Sequence, residues 1–186
     1  MTLTELEQDA LRELANVGAG HAATALSGML LEERLAFLPP QAWTGAADTL
    51  WARLGQDGLP WVAAVLEVHG DVKGALWLAW TQADAERLAA RLAGTPKPDQ
   101  AAVEEVVRTL ARQAGADALF AMGRLTGLVL RGGEPGLRRG PEAATAEGSA
   151  PVLGLEVRLT AQTFTAVFLF VPEASSLDAL LRSLRV

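Results

Sequence analysis

Apolar positions recur at helical spacing near the start of the chain, where Leu6, Leu11, Leu14, Val17, Ala25 and Leu26 supply much of one stripe. The pattern predicts one long helix from Thr4 to Leu31, with Thr4 as N-cap and Glu7, three residues on, completing a capping box. Gly18 and Gly20 interrupt good helix formers, each at a cost of about 1 kcal/mol relative to Ala. A close approach by another backbone, or by a partner, is therefore expected there. Leu35 to Leu38 reads as a short strand stopped by Pro39-Pro40, and Ala46 to Leu54 as a short helix. Trp61 to Val68 and Val72 to Trp80 read as a hairpin turning at His69-Gly70-Asp71. Gln82 to Leu92 is an amphipathic helix ended by Gly94 and Pro96.

The order then recurs. Gln100 to Leu125 is a second long helix, Leu128 to Leu130 a short strand, and Leu137 to Ala150 a loop rich in Gly, Pro, Ala and Glu. Val152 to Leu159 and Thr163 to Val171 form a second hairpin, and Ser176 to Leu184 closes the chain as a helix. Leu66-Glu67-Val68 in the first hairpin matches Leu155-Glu156-Val157 in the second. An internal duplication accounts for this, with its boundary at Gly94-Thr95-Pro96-Lys97-Pro98-Asp99. The expected fold is a single α/β (α+β) domain over residues 1–186, made of repeated halves of about 1–95 and 96–186. Their strands join in one central, mostly antiparallel sheet under pseudo-two-fold symmetry, with the two long helices on one face.

Composition narrows the function. The chain has 186 residues and a net charge of −6, which argues against nucleic-acid binding, since clustered Lys and Arg are needed to neutralise phosphates. Absence of Cys excludes disulfides and thiolate chemistry and fits a reducing cytoplasm. The longest apolar runs, Ala75 to Trp80 and Ala166 to Val171, are too short to span a bilayer and read as buried strands. The acidic start lacks the basic region of a signal peptide. A soluble, cytoplasmic protein without membrane insertion is expected. The only two His residues, His21 and His69, have no metal-ligand spacing, so no metal site is expected. Gly18-Ala19-Gly20 lacks the third glycine and the strand-turn-helix setting of a dinucleotide fingerprint.

The informative polar group is Asp9, Glu13 and Asn16, spaced so that all three project from one face of the first helix. Spacing alone is compatible with an ordinary solvated face. Asn16 is less ordinary, because its amide competes for backbone hydrogen bonds and disfavours a helix interior.

The stretch from Asp9 through Asn16-Val17-Gly18-Ala19-Gly20-His21 to Leu26 resembles the first helix of the CheC family of chemotaxis phosphatases, which includes CheX and FliY. That family carries an Asp or Ser, a Glu four residues on, an Asn three further, and a Pro twenty-three residues after the Asn. Asp9, Glu13, Asn16 and Pro39 meet every position (39 − 16 = 23). In the second half, Leu125-Thr126-Gly127-Leu128 matches the usual end of the second long helix. That register puts Thr109 and Arg112 at the second Glu and Asn positions and Pro135 at the second Pro (135 − 112 = 23). The resemblance thus implies a CheC-like fold with one intact site and one degenerate site. It implies hydrolysis of the aspartyl-phosphate of a CheY-like response regulator, with Asn16 orienting the attacking water and Glu13 pairing with a regulator Lys. Asp9 and Gly20 would serve partner binding, and Pro39 and Pro135 would shape the chain. No cofactor of its own is implied, since Mg²⁺ would sit on the regulator. CheD, a receptor-modifying deamidase, is a further partner the family suggests. Two alternatives stand beside catalysis: a non-catalytic binding module of the flagellar switch type, and a CheD-binding regulatory protein.

Overall fold

The computed structural model describes residues 3–31, 35–46, 49–54, 58–140 and 151–186. In chain order these form α1 (Glu5–Leu30), β1 (Ala36–Phe37), β2 (Gln41–Ala46), α2 (Thr49–Leu54), β3 (Trp61–Gly70), β4 (Gly74–Thr81), α3 (Gln82–Ala93), α4 (Gln100–Thr126), β5 (Leu130–Gly132), β6 (Gly136–Arg139), β7 (Pro151–Thr160), β8 (Thr165–Pro172) and α5 (Ala174–Leu184). The long helices begin and end where local chemistry requires. At α1 the Thr4 N–H donates to the Glu7 carboxylate at 2.7 Å and the Glu7 N–H to the Thr4 hydroxyl at 3.3 Å, the reciprocal pair of a capping box. At α4 the Asp99 carboxylate accepts from the Ala102 N–H at 2.8 Å. Left-handed residues close both helices, Leu31 at φ 51° and Gly127 at φ 72°.

Among the described residues eight strands make one sheet in the order β1-β7-β8-β4-β3-β5, with β2 also on β7 and β6 also on β3. Every pairing is antiparallel. The short strands after each long helix cross to the far hairpin: β1 and β2 pair with β7, and β5 and β6 pair with β3. The β4–β8 ladder joins the two hairpins at the centre, from Gly74↔Pro172 to Trp80↔Ala166. Neither half could keep its sheet complete without the other.

Successive strand residues face opposite sides. Leu66, Leu76, Leu78, Trp80, Leu155, Phe168 and Phe170 point toward Leu11, Leu14 and Leu26 of α1 and Leu110, Leu119 and Met122 of α4. On the other side Trp61, Ala63, Trp77, Ala79, Val167 and Leu169 form a second cluster with Leu54 of α2. Burial on both sides explains why β4 and β8 read as unbroken apolar runs. One carboxylate is buried on that second side. Glu156, 6% exposed, accepts from Arg53 of α2 at 3.2 Å and from Arg158 at 3.3 Å, and Arg53 lies 4.6 Å from the centre of the Trp43 ring.

Four details correct the sequence reading. Gln41–Ala46 is a strand, although its pattern is only weakly alternating; it forms because its backbone completes the β7 edge from Gln41↔Glu156 to Ala46↔Pro151. Ala46 closes that strand instead of opening a helix, which starts at Thr49. His69 and Gly70 extend β3, since β5 pairs with both, so the turn moves to residues 71–73. Gly70 has φ 120°, and a Cβ there would stand 2.3 Å from the Val129 carbonyl oxygen, so the crossing of the two chains requires glycine. Residues 137–139 belong to β6, not to a loop; the rest of that stretch, 141–150, lies outside the described residues.

Candidate functional site

Small residues set how α1 sits in the molecule. Ala15, Ala19, Ala22 and Ala23 are buried along the stripe that packs α1 on α4 and the sheet. Gly18 belongs to this stripe: a Cβ placed on it would lie 2.7 Å from Met122 Sδ and 3.0 Å from Phe168 Cζ. Gly20 does not, since a Cβ there would meet nothing within 4 Å. The two glycines, indistinguishable by spacing, thus answer to different demands. Gly18 admits the neighbouring helix and sheet. Gly20 has no packing reason among the described residues.

On the outward face stand Leu6, Asp9, Glu13, Asn16, Gly20 and Thr24, spaced three or four residues apart. Asp9 and Glu13 are exposed and Asn16 is half-buried. Asp9 is engaged locally: Arg12 Nη1 donates to its Oδ1 at 2.5 Å and Arg12 Nη2 to Gln8 Oε1 at 3.3 Å. Such an exposed pair adds little stability. Glu13 and Asn16 make no hydrogen bond or ion pair among the described residues, which leaves a carboxylate and a primary amide one turn apart with free valences. The amide can accept through its carbonyl and donate through its NH₂, whereas the carboxylate only accepts. Thr24 is occupied, donating to the Gly20 carbonyl at 2.9 Å. His21 is exposed beside the face.

Leu6 corrects an expectation. Its place in the apolar series suggested burial with Leu14 and Val17; Leu14 is buried and Val17 half-buried, but Leu6 is 65% exposed. It precedes Asp9 and Glu13 by three and seven residues, and so opens the polar face with an apolar side chain. Its spacing of seven residues from Glu13 places it on the polar face.

The corresponding face of α4 is differently furnished. Thr109 donates to Glu105 at 3.3 Å. Arg112 Nε and Nη2 both donate to Glu134 Oε2, at 3.2 and 3.0 Å, which ties its guanidinium to the segment between β5 and β6. A guanidinium has no acceptor, so Arg112 cannot take a proton contact from a water as an amide can. Pro39 is exposed in the break between β1 and β2, and Pro135 buried in the break between β5 and β6. Lacking an N–H, proline suits both interruptions of a ladder. Among the described residues no group of three or more His, Asp or Glu is placed to hold a metal ion. None of their helices is long and apolar enough to cross a membrane.

A sequence description of the CheC-like family matches residues 6–32, which is α1 with its candidate face. The CheY-P phosphatase CheC of Bacillus subtilis (strain 168) is 31% identical over 97 residues, covering 52% of this chain and 46% of that protein. The chain therefore spans about half the length of the curated relative it matches. FliY of Thermotoga maritima shares the fold across 100% of this chain and 98% of its own, with a TM-score of 0.79 at 16% identity. CheX in a CheX–CheY–BeF₃–Mg²⁺ complex from Borrelia burgdorferi covers 85% of this chain and 96% of its own, at TM-score 0.60 and 14% identity. The FliM middle domain of H. pylori covers 97% and 99%, at TM-score 0.69 and 10% identity. At these identities the structural likeness is one of fold. Sequence and fold likenesses together support the CheC, CheX and FliY family.

Proposed function

We propose that the chain, with its CheC-like first helix and shared fold, is a cytoplasmic phosphatase that hydrolyses the aspartyl-phosphate of a CheY-like response regulator. The observation that carries this is the face of α1. Glu13 and Asn16 stand there unpaired among the described residues, beside an open Gly20, in the segment that the CheC-like family description matches. The relative from B. subtilis is a CheY-P phosphatase, and the CheX of like fold is found in complex with CheY, which supports a regulator as the partner.

Phosphoryl hydrolysis depends on positioning and charge more than on a strong base. Asn16 inserts beside the phosphoryl group, its carbonyl accepts from a water, and the water is held in line with the breaking P–O bond. Fixing that geometry removes part of the entropic barrier. Glu13, one turn earlier, pairs with a Lys of the regulator and sets the register of the docked helix. Asp9 with Arg12, and the exposed Leu6, border the contact. Mg²⁺ belongs to the regulator, and the phosphatase contributes no cofactor.

The second half is a degenerate copy in this reading. Three features recur at one interval: Asn16 and Arg112 (112 − 16 = 96), Pro39 and Pro135 (135 − 39 = 96), and the helix-closing Leu31 and Gly127 (127 − 31 = 96). With Thr109 and Arg112 in place of the acid and amide, that half does not catalyse.

The test is loss of phosphate from a purified, phosphorylated CheY-like regulator of the same cell. Wild-type protein should accelerate it and Asn16→Ala should not, while both melt alike. The FliM-like fold favours one competing reading, a switch-type binding module. Regulator binding with no acceleration by wild type would establish that reading instead. CheD binding is compatible with either and is decided by co-purification.

A further inference from the structure

Beyond Arg112, the outward face of α4 continues through Ala116 to Phe120, both exposed. At the interval of 96 residues these stand where α1 has Gly20 and Thr24. Phe120 is 65% exposed and borders a cleft of about 610 Å³ between the C-terminal half of α4 and the segment leading into β5. Leu128, Val129 and Leu130 line the cleft beside it, and Val129 is itself exposed. Single exposed apolar residues are ordinary, but a concave apolar cluster marks a place where something binds. Its charge is equally particular. Arg124 and Arg131 line the cleft, no acidic side chain does, and neither guanidinium makes an ion pair or side-chain hydrogen bond among the described residues. Asp71, which approaches Val129, is committed to its backbone N–H at 2.8 Å. In a chain of net charge −6, two unpaired arginines around an apolar hollow form a local field opposite to that of the whole molecule.

We propose that this cleft is a docking site for an acidic amphipathic helix of a partner protein. Apolar residues one turn apart enter beside Phe120, and flanking carboxylates meet Arg124 and Arg131. The occupant must be narrow enough to enter a cleft, which a helix is and a bilayer surface is not. The acidic remainder of the chain also disfavours an anionic membrane. The site lies on the half that carries no Glu–Asn pair, so one face would hold a partner while the other acts on a regulator.

The experiment uses the isotopically labelled full chain and two short synthetic helices with identical Leu and Phe positions, one bearing Glu elsewhere and the other Lys. The Glu helix should shift backbone amide resonances between Ala116 and Gly132 and leave those of Asp9 to Gly20 in place; the Lys helix should not. Arg124→Glu with Arg131→Glu should weaken Glu-helix binding about tenfold or more. Phe120→Ser should also weaken Glu-helix binding, with an unchanged melting temperature showing that the fold is intact. Equal response to both helices, or shifts spread over the surface, would overturn the proposal. So would shifts of the same amides on concentrating the protein alone, which assign the cleft to a second copy. The same holds for shifts with phosphatidylserine vesicles and none with the Glu helix, which assign it to a membrane.

Discussion

Replacing Gly20 by Ala should make the protein more stable and less active. The methyl group would meet nothing within 4 Å, so the change adds no clash and only removes the helix penalty of glycine. That penalty is about 1 kcal/mol in a helix interior. For a chain of this length a gain of about 1 kcal/mol raises Tm by about 2–4 °C. On the partner side the methyl projects from the face that carries Glu13 and Asn16, one turn beyond the amide. If the regulator's backbone packs against Gly20, the methyl overfills that contact, at a cost of about 1–3 kcal/mol. This corresponds to a loss of about 5- to 150-fold in affinity. The assay pairs thermal melting with regulator dephosphorylation measured at several regulator concentrations. The expected result is higher Tm, raised KM and a kcat near wild type, because Asn16 is untouched. A stabilised variant with unchanged KM would refute the view that Gly20 clears the way for a partner. A destabilised variant would refute the reading of Gly20 as open.

Gly18→Ala should do the reverse to stability. Its methyl would stand 2.7 Å from Met122 Sδ and 3.0 Å from Phe168 Cζ, and overpacking should exceed the helix gain for a net loss of about 1 kcal/mol, read by denaturant unfolding. Arg112→Ala should leave dephosphorylation at the wild-type rate, since it removes an exposed pair with Glu134 and no acceptor; a large loss would make the second half catalytic. Glu7 titrates below the ordinary glutamate range, chiefly because the Thr4 backbone N–H, and then the Thr4 hydroxyl, hydrogen-bonds its carboxylate. A depressed value in the folded state means the capping box stabilises at higher pH and loses that contribution as pH falls through the lowered value. The Thr4 amide resonance should therefore move in acid together with the Glu7 carboxyl, and Glu7→Gln should abolish that movement. Glu156→Ala should cost about 1–2 kcal/mol, because Arg53 and Arg158, both partly solvated, lose their shared carboxylate.

What was legible in the sequence follows the range of the interactions that form it. α1 and α4 could be read to within a residue because their stops are local: a Thr4–Glu7 capping box, an Asp99 N-cap, a glycine at 127. The two hairpins were legible because alternation and turn residues are also local. β2 was not, because Gln41–Ala46 gains its strand character from pairing with β7, more than a hundred residues away. The turn was misplaced for a like reason. His69 and Gly70 look like turn residues until β5 arrives to pair with them. Leu6 shares the helical spacing of the apolar stripe yet lies outside the core, because spacing alone does not mark where the stripe begins.

The same limit governs the site. Asp9, Glu13 and Asn16 could be placed on one face from spacing, because a helix converts sequence interval into direction. Whether that face meets water or protein is a tertiary fact. It separates Gly18 from Gly20, and it separates Asn16, with no partner among the described residues, from Arg112, bound to Glu134. The two long helices, of 26 and 27 residues, each start at a side-chain cap and end at a left-handed residue, yet one outward face offers an acid and an amide and the other a guanidinium and a phenyl ring. An amide can hold a water by accepting from it; a guanidinium cannot. A polar face suits a transient contact that must release its product, while an apolar hollow rimmed with charge suits a partner that stays. The asymmetry between the faces is thus a difference in chemistry laid on one backbone scheme, and exchanging Thr109→Glu and Arg112→Asn without also removing Phe120 would leave the second face without the clearance that Gly20 and Thr24 give the first.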